Sequence, residues 1–162
     1  MTENLSSNVS RTIQTKLVLP PDTNHLGSIF GGKVLAYIDE IAAIAAMKHS
    51  KKAVVTASID IVNFLSTAKV GDILLLEGVV ISTGRTSMEV FVKVQSEQIE
   101  TGQKQLTTTS ILTMVAIGEE GKPTPIPGVI PETEEEHEML TYAEERRERR
   151  IQMTKFTGRE RR

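Results

Sequence analysis

The chain contains no cysteine. Disulfides, thiolate nucleophiles and cysteine-based metal sites are excluded, and the composition suits a reducing cytoplasm. It has no strong charge of either sign: 19 Lys and Arg against 21 Asp and Glu leave a net −2 over 162 residues. That balance draws the chain neither to nucleic acid nor to an acidic membrane surface. Long hydrophobic runs are missing as well. The longest, Ile41 to Met47, is far too short to cross a bilayer. Thr2, Glu3, Asn4, Ser6, Ser7 and Asn8 leave no room for the apolar segment of a signal peptide. No G-x-S-x-G elbow occurs, there is no internal repeat, and His25, His49 and His137 lack metal-ligand spacing. The expectation is a one-domain cytoplasmic protein with a real core and no nucleic-acid, membrane or metal partner.

What is present has clear order. Residues 1–10 read as a flexible arm. Thr12 to Leu19 alternates apolar and polar, as a strand does, and Pro20-Pro21 ends it. An apolar, Ala-rich helix follows from about Gly32 to His49. Four more strands are expected at Ala53–Phe64, Asp72–Ser82, Thr86–Gln95 and Lys104–Ile117. The second of these is nearly all apolar, as for a strand covered on both faces. The links at Val70-Gly71-Asp72, Thr83-Gly84-Arg85 and Glu100-Thr101-Gly102 are short, which favours an antiparallel meander over crossovers. One helix and one antiparallel sheet must bury each other, giving an α+β two-layer domain. Residues 119–131 form a Pro-rich linker, and 132–162 a charged helical tail, Glu-rich then Arg-rich. The polarity of the tail suggests a solvated surface helix fraying from Thr154.

The stretch Pro21 to Asp39 is the chemically unusual one. Its helix opens on Gly31-Gly32 instead of a Ser or Thr cap. Two glycines let a ligand approach the backbone, and the free amides of a helix start suit negative charge developing on an oxygen. Lys33, Tyr37, Glu40 and Lys48 mark the wet side. Asp39 lies about 40° from Leu35 and about 60° from Ala42, so it shares the apolar side. A satisfied core carboxylate, one at the edge of the stripe reaching water, and a functional carboxylate all fit that placement. Gly32 and Asp39 are two turns apart, about 10 Å, so one small substrate group cannot easily touch both in one protomer. Gly27-Ser-Ile-Phe-Gly-Gly-Lys33 approaches a P-loop, but Val34 stands where Ser or Thr must bind Mg²⁺, and the chain lacks alternating βα units.

Asn24-His-Leu-Gly27, Phe30-Gly-Gly32, Ile38-Asp39, Val54-Val-Thr-Ala-Ser58, Phe64, Gly71-Asp72 and Gly84-Arg-Thr-Ser-Met88 together resemble the hotdog-fold acyl-CoA thioesterases of the bacterial acyl-CoA hydrolase type. The resemblance covers about residues 11–118. It implies a hotdog fold, with one long helix wrapped by a five-stranded antiparallel sheet. It implies hydrolysis of the acyl-CoA thioester to a fatty acid and CoA at sites on a dimer interface. Asp39 of one protomer would be general base or nucleophile. Asn24 of the other would position water or the thioester carbonyl, and the Gly32 amide would polarise that carbonyl. Self-association as a dimer at least, and as a hexamer built from three dimers, follows from the same resemblance.

Coenzyme A would be part of substrate and product, with no separate cofactor. Its phosphates and pantetheine call for cations and polar groups. Gly31, Arg85, Thr86 and Ser87 are the expected contacts, and Ser66 and Lys69 lie in a loop that could reach the nucleotide end. A hotdog hydratase-dehydratase acting on enoyl thioesters, with His25 as its weak candidate, and a non-catalytic acyl-CoA-binding module remain the alternatives.

Overall fold

The computed structural model describes residues 3–158. In chain order the elements are β1 (Leu5–Ser6), β2 (Thr12–Leu17), α1 (Gly31–Ser50), β3 (Ala53–Phe64), β4 (Ile73–Thr83), β5 (Ser87–Glu97), β6 (Lys104–Ile117), β7 (Val129–Ile130), α2 (Glu134–Thr141) and α3 (Ala143–Thr157). Five strands form one antiparallel sheet in the order β2-β4-β5-β6-β3. The short links make β4, β5 and β6 a meander. The strand before the helix and the strand after it become the two edges. No helix among the described residues is long and apolar enough to cross a membrane.

The sheet wraps α1. Ile38, Ile41, Ala42, Ala45 and Ala46 are fully buried against Leu74, Leu76, Val90, Val92, Leu112 and Met114. Each large apolar side chain so buried is worth roughly 1.5–3 kcal/mol. Gly78 sets the closest approach of β4 to α1: a Cβ there would stand 3.4 Å from both the side chain and the carbonyl of Ile41. The other face of the sheet carries Val79, Ile81, Phe91 and Ile111, and Met139 of α2 packs on them. β4 is therefore covered on both faces, as its continuous apolar run predicts.

Several expected boundaries move. The first strand stops at Leu17, not Leu19, because the Leu19 amide donates to Asp22 Oδ2 (3.1 Å) at the start of a short 3-10 turn, Pro20–Asp22. The helix begins one residue earlier than expected and ends one later. The strand expected at Asp72–Ser82 is Ile73–Thr83, and that at Thr86–Gln95 is Ser87–Glu97.

The flexible arm expected at residues 1–10 is corrected from Leu5 onward; residues 1 and 2 lie outside the described part. Leu5-Ser6 pairs in parallel with Val129-Ile130. Ser7 and Ser10 are buried, and Ser10 Oγ accepts from the Val80 amide. Polar composition hid this segment because its partners are backbone groups far along the chain. The Pro-rich segment 119–131 is likewise packed. It supplies β7, buries Ile126, and its Pro127 carbonyl lies 2.8 Å from His49 Nε2 at the end of α1. His49 is thus a core histidine, whereas His25 and His137 are exposed.

The tail also departs from a solvated helix. It is two helices, and α3 continues to Thr157 rather than fraying at Thr154; residues 159–162 lie outside the described part. Arg146 Nε donates to Glu89 Oε2 (2.8 Å) and Arg150 Nη1 to the same oxygen (2.8 Å). Arg150 also lies 3.6 Å from Asp60. Two of the four arginines in α3, expected to face water, therefore grip carboxylates on the outer face of the sheet. Sequence spacing could not show this, since the partners sit on strands some 60–90 residues earlier.

Candidate active site

Two groups of residues stand out, one at the start of α1 and one at its middle. The start is prepared by the loop before it. Asn24 Oδ1 accepts from the amides of Leu26 (2.9 Å) and Ser28 (3.2 Å), and Gly27 turns the chain at φ +74°. With its carbonyl oxygen committed to the loop, Asn24 has its Nδ2 end left to donate. The Phe30 amide donates to the Asp22 carbonyl (3.0 Å), which fixes the entry of the chain into the helix.

Gly31 and Gly32 then differ in role. A Cβ on Gly31 would stand 3.2 Å from the Phe64 ring, whereas one on Gly32 would meet nothing within 4 Å. Gly31 allows the end of β3 to close on the helix. Gly32 faces open space. Lys33 is the next amide to be used, donating to the Phe30 carbonyl (3.0 Å). The amides of Gly31 and Gly32 precede any acceptor within the helix. They carry the positive end of a 20-residue helix dipole. Beside them a cavity of about 180 Å³ is lined by Ile29, Val34, Phe64 and Ser66, among others.

Asp39 is half-buried, between the wet side of α1 and its core stripe. Thr56 Oγ1 in β3 donates to Asp39 Oδ1 at 2.7 Å. One carboxylate oxygen is thereby oriented and the other is left for water or substrate. Thr56 was not picked out as a functional residue in the sequence. Only its position in Val54-Val-Thr-Ala-Ser58 was visible there, and the contact with Asp39 needs the fold.

The remaining candidates divide between the same two ends. Ser66 lies just past β3, on the Gly31 side, and its hydroxyl donates to the Leu106 carbonyl (2.8 Å). Lys69 follows, exposed, with Ser28 bridged to it in the backbone. Arg85, Thr86 and Ser87 lie at the opposite end of the sheet. Ser87 pairs with Val115, which pairs with Val55, so this turn is level with Thr56 and not with Gly32. Arg85 is exposed and makes no ion pair among the described residues. One chain therefore gathers Asn24, Gly31, Gly32, Ser66 and Lys69 at one place and Asp39, Thr56 and Arg85–Ser87 at another.

Comparison with known proteins identifies the family. The pattern of the thioesterase superfamily matches residues 26–103. An uncharacterised acyl-CoA thioester hydrolase of Bacillus subtilis is 49% identical over 127 residues, spanning 78% of this chain and 74% of that protein. Among solved structures, an apo hexameric acyl-CoA thioesterase is 62% identical with a TM-score of 0.91, covering 94% of this chain and 97% of that one. The acyl-CoA hydrolase of Staphylococcus aureus, solved with butyryl coenzyme A, coenzyme A and coenzyme A disulfide, is 42% identical. Its TM-score is 0.90 over 96% of this chain and 95% of that one. That hydrolase was also solved as alanine variants of an asparagine, an aspartate and a threonine. Their spacing along the chain equals that of Asn24, Asp39 and Thr56 here.

Proposed function

The chain belongs to the thioesterase superfamily, among its bacterial acyl-CoA hydrolases, and on that premise we propose that it hydrolyses acyl-CoA to a free fatty acid and coenzyme A. The observation that carries this is the Thr56–Asp39 hydrogen bond, which aims a half-buried carboxylate on the helix whose start offers open amides. In the proposed reaction the thioester carbonyl accepts from the Gly32 N–H, where the helix dipole favours the charge that develops on oxygen. Asp39 takes a proton from water as the water oxygen bonds to the carbonyl carbon. The tetrahedral intermediate then collapses, the C–S bond breaks, and the leaving sulfur takes the proton from Asp39. Direct attack by Asp39 to form an anhydride uses the same carboxylate. Oxygen-18 from labelled water entering Asp39 in a single turnover separates the two. Asn24, with its carbonyl oxygen engaged, donates through Nδ2 to the water or the carbonyl.

The active unit is a homodimer, itself assembled into a hexamer as three dimers. β3 is an unpaired edge among the described residues, twelve residues long, with Val55 and Phe64 exposed. A long apolar edge is seldom left open. Antiparallel pairing of two β3 strands about their middle sets the partner's Phe64 end beside this chain's Ala53–Thr56 end. Gly31 touches Phe64, so the partner's Gly31–Gly32 and Asn24 loop arrive next to Asp39 and Thr56. The same pairing sets Ser66 and Lys69 of one chain, and Arg85, Thr86 and Ser87 of the other, around the path for coenzyme A. Arg85 supplies a cation for its phosphates. Coenzyme A enters and leaves as part of substrate and product. We place the activity in the cytoplasm, a reducing compartment with which the absence of cysteine is compatible.

The test is release of CoA thiol from a panel of acyl-CoAs, read with a thiol reagent against a protein that contributes no thiol of its own. Turnover by the natural chain and its loss in Asp39→Asn is the expected result. Water addition to an enoyl-CoA without thiol release, or CoA binding without turnover, would replace the reading with one of the two alternatives.

A further inference from the structure

The end of α3 has no task within one chain. The helix starts beside Thr83 and Ser87 and is bound by Arg146 to Glu89 in β5. By Arg150 it has reached Asp60 in β3, the edge strand. It is therefore travelling across the outer face of the sheet toward that edge. At about 1.5 Å per residue, residues 151–157 carry it roughly 10 Å further, two strand spacings. Among the described residues no strand of this chain lies there. Ile151, Met153 and Phe156 are 45%, 57% and 71% exposed. An isolated helix of this length is marginal in water, and these turns bury nothing to hold them.

The face that α3 turns to the sheet does not stop at the edge. Arg146, Arg150, Met153 and Thr157 follow one another at helical spacing. With Ile59 and Ile61 of β3 they enclose a cavity of about 400 Å³. Both isoleucines are 37% exposed, so the apolar floor of that cavity is still partly open. Helix end and floor line the same cavity at the β3 edge.

We infer that the end of α3 is a clasp across the β3–β3 seam, docked on the outer face of a second copy of this chain. The inference rests on the paired-edge dimer proposed above. That pairing extends the sheet to where residues 151–157 lead. It also brings the partner's helix end over this chain's Ile59 and Ile61. A two-fold axis at the seam makes the surface self-complementary, since each copy offers both the helix end and the floor. Two of the three arginines lining the cavity, Arg146 and Arg150, are already held by Glu89 and Asp60; the third, Arg149, has no ion pair among the described residues. The clasp has a consequence for the site. α3 binds the bulged part of β3, whose register shifts between Thr56 and Ser58 and again between Ile59 and Ile61. It thereby steadies the strand that carries Thr56.

The full chain carrying the photo-cross-linker p-benzoylphenylalanine in place of Phe156 is irradiated in solution. The expected product is a covalent dimer of twice 17.8 kDa, with the linked peptide in β3 or α3 of the other copy. Met153→Glu with Phe156→Glu should raise the dimer dissociation constant at least tenfold by sedimentation while the far-ultraviolet dichroism stays native. Val55→Lys, on the edge itself, serves as the contrast. Absence of the covalent dimer, or an unchanged dissociation constant in the double variant, overturns the clasp. If Val55→Lys still dissociates the protein, the paired-edge dimer stands without it. A natural chain that is monomeric overturns both.

Discussion

Thr56 in the edge strand β3 and Asp39 in the middle of α1 are joined by a 2.7 Å hydrogen bond, Oγ1 to Oδ1. Helix and edge strand are otherwise held by apolar packing, which sets distance but not the orientation of a carboxylate. The threonine supplies that orientation from an element that a second subunit can reach.

Asp39→Asn should lower kcat by roughly 10²-fold or more, the range lost when a positioned base is removed. The half-buried side chain has one hydrogen bond, so thermal stability should hardly move. Thr56→Val removes a bond worth about 1 kcal/mol. It should cost roughly tenfold in kcat with KM little changed, and Thr56→Ser should recover most of it. Steady-state kinetics beside thermal melts check both. An equal fall in stability and kcat would make Thr56 a fold residue only.

Shared sites make a sharper test. Asn24→Ala and Asp39→Asn inactivate different halves of each site. Mixed and reassembled in equal amounts, they form some dimers with one intact site and one doubly damaged site. About a quarter of the natural activity should return for a two-fold dimer assembled at random. Sites complete within one chain would give no recovery. The assay is CoA release before and after co-refolding.

The two glycines at the helix start should separate. Gly31→Ala sets a methyl 3.2 Å from the Phe64 ring, so the ring at the end of β3 must shift by a few tenths of an ångström. A loss of about 1 kcal/mol of stability, together with weakened dimerisation, is expected. Gly32→Ala meets nothing in its own chain and should fold as well as the parent. Its methyl instead enters the approach to the amide, so kcat/KM should fall. Melting curves beside kinetics read the contrast directly.

Much of this was legible in the sequence because it is local. The alternation in Ser87–Glu97 and the run in Ile73–Thr83 gave strands, and short turns gave the meander. The offset of Asp39 from the wet side gave a carboxylate needing an explanation. What escaped notice depends on long-range pairing. Thr56 is one more threonine in a strand until β3 folds against α1. Leu5-Ser6 looks like an arm until Val129-Ile130 provides its ladder. Arg146 and Arg150 look solvated because polar helices usually are, and because Glu89 looks like the outward member of an alternating strand. The two-turn separation of Gly32 from Asp39 was legible from helical rise alone. The order of strands in the sheet, which decides which edge can reunite them, was not.

The carboxylate beneath α3 sets an acid limit on stability. Glu89 is nearly buried, and burial by itself pushes its pKa up. Hydrogen bonds from Arg146 and Ser82 and the charges of Arg146 and Arg150 outweigh that and hold it below the usual carboxylate value. A pKa lowered by folding contributes stability that is fully present above the unfolded value and is lost as pH falls through the folded one. The docking of α3 should therefore be insensitive to pH near neutrality. It should weaken as pH drops below the usual carboxylate range, as protonated Glu89 loses both arginines. Glu136, lowered by Thr133 and Arg11 against its own burial, acts in the same window from the start of α2. Arg146→Met leaves Glu89 buried with one of its two arginines and should cost about 3–5 kcal/mol, as breaking a buried pair does. Glu89→Leu combined with Arg146→Met should recover much of that loss and flatten the acid slope. Urea unfolding from pH 3 to 7 measures each slope. An Arg146→Met chain with natural stability, or a double variant that keeps the full acid slope, would remove Glu89 as the anchor of the helix.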